Sequence, residues 1–173
     1  MAQISTLNAG DHFAFKGYNW VVLDPQTKEG GVFSVMTDVL RKYGCLFDED
    51  GNNNYANSSL RRKINEELLP ELGEENFLLH IVDLTADNGD DRYGTVEDKV
   101  FIFSCNEYRK YYKYFPCFSD WIWTCTPWYI SPAGNGRHVR YIGPTGYVYT
   151  YGAHGTCEVV VAAIFKNNTE IEI

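Results

Sequence analysis

The sequence predicts an α+β fold over residues 1–173, built of mixed β-strands and hairpins with two to three short helices. Two observations carry this. Runs of β-branched and aromatic residues of strand length recur along the chain and are separated by Gly, Pro, Asn and Asp. Helical spacing of apolar residues appears only briefly, between positions 58 and 82 and again after Ser104. A length of 173 residues suits one domain with a substantial core.

Taken in order, His12–Lys16 alternates around Phe13 and Phe15, Gly17-Tyr18-Asn19 can turn, and Trp20–Asp24 is an apolar run, so a hairpin is expected. A loop over 25–31 leads to a strand at Val32–Met36. Asp48, Asp50 and Asn52 alternate in a way that suggests calcium. An EF-hand loop, however, needs Gly and Glu where Asn53 and Ser59 stand, so a solvated polar turn is the better reading. Asn57-Ser58-Ser59 offers N-caps for a helix carrying Leu60, Ile64 and Leu68 on one face, closed by Pro70. A second short helix fits Glu74–Val82, and the acidic 83–98 segment reads as a loop. Val100–Ser104 is a strand, and Ser104 with Glu107 forms a capping box for a helix reaching about Tyr112. Trp121, Trp123 and Trp128 read as packing anchors. Glu158–Phe165 (EVVVAAIF) reads as a central, final strand.

Composition narrows the function. A net charge of -8 argues against a nucleic-acid surface, which needs clustered positive charge. No segment has the length and apolarity of a membrane span, so no membrane insertion is expected. The N-terminus lacks the basic start and apolar run of a signal peptide. Cysteines at 45, 105, 117, 125 and 157 show no CxxC spacing. Synthesis in a reducing cytoplasm follows, compatible with later residence on a particle released by lysis. The chain contains no GxSxG, HExxH, P-loop or dinucleotide fingerprint, so neither an enzyme nor a cofactor is expected. The alternative enzyme would use Cys125 or Cys157 with His138 or His154, or a metal on His138, His154 and Cys157.

The most unusual stretch is Tyr129–Cys157, with five of the thirteen Tyr and no Glu, Lys, Gln, Trp or Met. Those five types supply 28 of the 173 residues, so their joint absence from 29 positions is notable. Gly143-Pro144-Thr145-Gly146 has the residues of a type I turn, and its flanks are strand-like. With Ile142 opposite Tyr147, Arg140 faces Tyr149 and His138 faces Tyr151, while Val139, Tyr141, Val148 and Thr150 take the other side. A one-residue slip would exchange the faces. Tyr, Ser, Asn and Arg in such density suit a recognition surface, because Tyr offers a large contact area at low entropic cost.

The succession YNWVVLD, MTDVL, NSSLRRKINEELLPELGEENF, DKVFIFSCNEYRKYY, WIWTCTPW and HVRYIGPTGYV resembles a bacterial and phage domain of the C-type lectin-like, formylglycine-generating-enzyme-like group. Some members are the variable proteins of diversity-generating retroelements. The resemblance implies a C-type lectin-like fold and adenine-directed mutagenesis, which on AAY codons cannot reach Lys, Glu, Gln, Trp or Met. It also implies a hypervariable ligand-binding region over 129–157. The expected contacts are Tyr129, Ser131, Asn135, His138, Arg140, Tyr141, Tyr147, Tyr149, Tyr151 and His154, engaging a protein or cell-surface receptor. The family's closing Arg-Pro-Ala-like strand is replaced here by Val160-Val161-Ala162, and the calcium-binding Glu-Pro-Asn and Trp-Asn-Asp motifs of sugar-binding members are absent. A structural subunit of a phage particle or surface assembly is the other non-enzymatic reading.

Overall fold

A computed structural model describes residues 1–44 and 46–173; Cys45 lies outside the described residues. The fold is mostly antiparallel sheet with a few short helices. The N-terminal strand β1 (Ala2–Gln3) is followed by the hairpin β2 (His12–Phe15) and β3 (Tyr18–Asp24). Its turn is Lys16-Gly17, both with positive φ (52° and 80°), and Phe15 pairs with Tyr18. Tyr18 and Asn19 therefore belong to the strand rather than to the turn, because a two-residue primed turn matches the strand twist.

Strand β4 (Val32–Met36) has the expected bounds and is buried throughout. After it the chain makes the helical turn α1 (Ser59–Lys63), the π-helical turn Ile64–Leu68 and α2 (Leu69–Leu72) without a break. Ser58 caps the start by accepting from Arg61 N. Pro70 does not close the helix as expected: it sits in α2, directly after the π turn, which accommodates the missing proline N–H, and Gly73 at φ 79° ends the run. The helix expected over Glu74–Val82 is instead a 3-10 turn followed by β5 (Phe77–Leu78) and β6 (His80–Asp83). Tertiary pairing outweighs local spacing here: β5 joins the main sheet and Phe77 meets the ring of Phe165 at 4.8 Å. The acidic segment is likewise not all loop, since β7 (Thr95–Asp98) pairs with β6.

Next come β8 (Val100–Phe101), shorter than the strand expected to Ser104, and α3 (Cys105–Lys110) with the Ser104–Glu107 capping box in place. The remaining strands are β9 (Ile122–Pro127), β10 (His138–Ile142), β11 (Val148–Gly152), β12 (Ala162–Phe165) and β13 (Glu170–Ile171). The main sheet runs β2-β3-β4-β12-β5, with β8 also on β12. The central position of Ala162–Phe165 matches the expectation, but the strand is shorter than the Glu158–Phe165 expected, and β13 follows it and pairs with β1, so β12 is not final.

Phe165 is the hub of the core. Phe13, Phe15, Trp20 and Phe77 place their ring centres 4.8–5.4 Å from it, all steeply tilted to it. Such edge contacts add about 0.5–1.5 kcal/mol each to the burial itself. The second sheet, β11-β10-β9, carries the Tyr-rich segment and ends on β11. No helix among the described residues is long and apolar enough to cross a membrane.

Candidate binding surface

The hairpin of β10 and β11 closes more tightly than the sequence reading assumed. Gly146 N donates to Gly143 O at 2.9 Å and Gly143 N donates to Tyr147 O at 2.8 Å, with Gly146 at φ 84°. This is a three-residue loop: a type I turn followed by a left-handed glycine. It moves the register by one residue from the one assumed, pairing Tyr141 with Tyr149, Val139 with Tyr151 and Arg140 with Thr150. The faces exchange, so Tyr141, Tyr149 and Tyr151 share one side, and His138, Arg140 and Thr150 share the other.

On the first side lies an aromatic cluster. Trp121 stacks on Tyr141 at 5.1 Å and 22°, and Tyr151 meets the Trp121 ring edge-on at 5.9 Å. Tyr147 and Tyr149 meet Tyr141 at 6.2 and 6.3 Å. Tyr141 is buried and forms the floor, whereas Trp121, Tyr147, Tyr149 and Tyr151 are 42%, 43%, 60% and 40% exposed. Burial, with Tyr147 beside it, pushes the Tyr141 phenol up to about 12. Two glycines seat the outer rings. A Cβ at Gly143 would collide with the Tyr147 ring, and one at Gly155 with the Tyr151 ring. Each ring thus lies against bare backbone, in a place that only glycine leaves open.

On the second side His138 and Arg140 are engaged with the protein. Arg140 grips Asp87 Oδ2 through Nη2 at 2.6 Å and Nε at 2.8 Å, with Arg109 on Oδ1 at 3.3 Å. Trp128 covers this side, 5.9 Å from the Arg140 guanidinium and 5.7 Å from the His138 ring. Tyr129 leans on Trp128 edge-on at 5.4 Å. Of the three Trp expected as anchors only Trp123 is fully buried; Trp121 and Trp128 are surface rings. Ser131 and Asn135 tie off a small turn, with Ser131 Oγ donating to Asn135 Oδ1 at 2.7 Å. His154 is exposed and lies beside Gly51 and Gly152. The ten expected contact residues therefore do not form one surface: Tyr147, Tyr149 and Tyr151 converge with Tyr141 beneath them, and the others lie apart from them or face the opposite side.

Residues outside the Tyr-rich segment hold it in place, and Asn53 is the chief of them. It is fully buried, donates through Nδ2 to Tyr129 O and His138 O, both at 2.9 Å, and accepts from Tyr93 OH at 2.7 Å. The polar turn expected to be solvated is so only in part: Glu49, Asp50 and Asn52 are exposed, whereas Asp48 and Asn53 are built in. Asp48 is buried and accepts from Ser59 N at 3.0 Å and Asn52 N at 2.9 Å, so its carboxylate is spent on backbone. Trp121 also lay outside the expected contacts; its place just ahead of strand β9 was the available signal.

Cys125 is fully buried, and burial pushes its thiol well above the ordinary range; burial likewise raises Cys105. Cys157 is buried as well. Among the described residues, no three His, Cys, Asp or Glu side chains gather as a metal would need. In comparisons with known proteins, no family model, no curated protein and no solved structure matches this chain.

Proposed function

We propose that this chain is a ligand-binding display protein, the variable protein of a diversity-generating retroelement on a C-type lectin-like scaffold. It engages a protein or cell-surface partner through Trp121, Tyr147, Tyr149 and Tyr151. One observation carries the reading: these four rings are exposed together around a buried Tyr141 floor, two of them fixed by glycine seats. A free tyrosine loses about 0.5–1.5 kcal/mol of rotamer freedom when a partner immobilises it, and a pre-seated ring avoids much of that loss. The missing Lys, Glu, Gln, Trp and Met of 129–157 add the retroelement to the reading.

The test is to sequence the DNA flanking the gene. A near-identical second copy of the segment encoding 129–157, beside a reverse transcriptase gene and differing where the copy has adenine, is expected. Its differences should fall in the codons of Tyr147, Tyr149 and Tyr151 and spare those of the buried Val139 and Ile142. Absence of such a copy ends the retroelement part. For the surface itself, Tyr147→Ala with Tyr149→Ala should leave the melting temperature within a few degrees, as expected of exposed positions. Unfolding of the double variant would instead make these rings core.

A further inference from the structure

Among the described residues, the outer edge of β11 is the one place where a sheet stops without being covered, shortened or charged. Strand β2 is covered by the chain end through Ala14 and Glu172, which exchange backbone hydrogen bonds of 2.8 and 2.9 Å. The outer side of β9 is taken by Trp123 N on Glu158 O and Cys125 N on Phe103 O. Strands β1, β5, β8 and β13 have two residues each, and β6 and β7 carry Asp83 and Glu97. Strand β11 reads Val-Tyr-Thr-Tyr-Gly, five residues without charge or proline. Among the described residues no backbone hydrogen bond outside the β10 ladder reaches Val148–Tyr151. Alternation from the Gly143–Tyr147 bond turns the N–H and C=O of Val148 and Thr150 outward. Proteins ordinarily blunt such an edge, because it is a template for another strand.

We propose that β11 receives an extended, positively charged segment of a partner protein as an added antiparallel strand; this rests on the surface reading above and gives its mode. A row of alternating donors and acceptors is matched by another polypeptide backbone, which selects a peptide over a sugar. Side chains of the added strand would stand about 4.5–5.5 Å from Tyr149 and Tyr151 at alternate positions, within cation–π reach of their rings. Those rings have room for a cation. The Lys and Arg that sit over rings use Tyr18, Tyr43, Tyr111, Tyr114 and Trp128, and among the described residues none uses Trp121, Tyr147, Tyr149 or Tyr151. The charge agrees. Asp120 and Glu158 line the cleft beside Trp121 and share one cation, Arg41, at 3.0 and 2.9 Å, leaving one negative charge in excess. A net charge of -8 also sets a second copy of this chain against the first, so pairing of β11 with β11 loses to a basic strand.

The full chain, immobilised, is panned against random 12-residue peptides displayed on phage, and the consensus peptide is synthesised. Arg or Lys at every second position with Asp and Glu depleted is expected. N-methylation of the peptide residues whose N–H faces β11 should weaken binding on the order of tenfold or more, and methylation of the intervening residues much less. An acidic or uncharged consensus, indifference to the parity of methylation, or recovery of no peptide overturns strand addition. So does a dimer in sedimentation that Thr150→Pro dissolves. The two levels separate cleanly. Peptide binding that ignores methylation parity but is abolished by Tyr149→Ala with Tyr151→Ala ends the strand and keeps the surface. Binding unchanged by those substitutions ends the surface reading itself.

Discussion

Asn53→Ala is the perturbation that should most directly loosen the Tyr-rich segment from its support. The side chain is fully buried and makes three hydrogen bonds: two donated to the carbonyls of Tyr129 and His138, one accepted from Tyr93. At about 1 kcal/mol net for each bond, the loss is roughly 3 kcal/mol, and the Tyr129 carbonyl left without its donor adds to it, whereas His138 O still accepts from Trp128 N. For a chain of this size each kcal/mol moves the melting temperature by about 2–4 °C, so a fall of about 6–12 °C is expected. Asn53→Asp is the sharper variant. It keeps the acceptor for Tyr93 but sets a carboxylate against two carbonyl oxygens, so it should cost at least as much as alanine. The assay is urea unfolding with the slope checked for constancy, together with amide exchange at His138 and its neighbours, which should accelerate before global unfolding. A loss below about 1 kcal/mol for both variants would refute the reasoning, since three bonds at a dry site cannot be worth so little.

Stability should also respond to pH through His80, which lies between Glu107 at 2.8 Å and Glu29 at 3.3 Å. Burial alone would lower its pKa, but Glu107 and Glu29 outweigh burial and hold it above the ordinary imidazole value. A group raised on folding contributes fully below its unfolded pKa of about 6.5 and loses that contribution as pH climbs through the folded value. Unfolding free energy should therefore fall across that window in the native protein and stay flatter in His80→Gln; equal slopes would remove His80 as the cause. In the aromatic cluster, Gly155→Ala should displace the Tyr151 ring from its seat. The ring-to-ring NMR contact between Trp121 and Tyr151 should disappear while the fold is retained, and persistence of that contact would show that the seat is not set by glycine.

Strands and caps were the parts legible in the sequence, because their signals are local. Val32–Met36 and the Ser104–Glu107 box are each specified within a few residues. What failed was set by distant partners. Glu74–Val82 has helical spacing, but Gly73 at φ 79° stops the helix and Phe165, nearly ninety positions away, claims Phe77 for the sheet. Asn53 is one of three consecutive Asn, and nothing in NNN distinguishes the fully buried one from its neighbours. The hairpin register turned on a single left-handed glycine. Gly146 was visible in the sequence, but whether it closes a three- or a four-residue loop decides which face every side chain takes.

That register also explains how the surface can be separated from the scaffold. On β10, Val139, Tyr141 and Ile142 are buried, and the strand is clasped by β9 on one side and β11 on the other. Strand β11 contributes mainly a half-buried Val148 to the core, and its alternate positions 149 and 151 project outward as exposed rings. Burial is thus concentrated on β10 and exposed aromatic area on β11, one strand apart. Substitution at 147, 149 or 151 removes partly exposed area from a surface and little volume from the core, and it is lost core volume that costs most. Substitution at 139 or 142 does the reverse. An edge strand with this division can change its outward residues without refolding the rest, provided that Gly143 and Gly155 remain to seat whatever aromatic ring occupies positions 147 and 151.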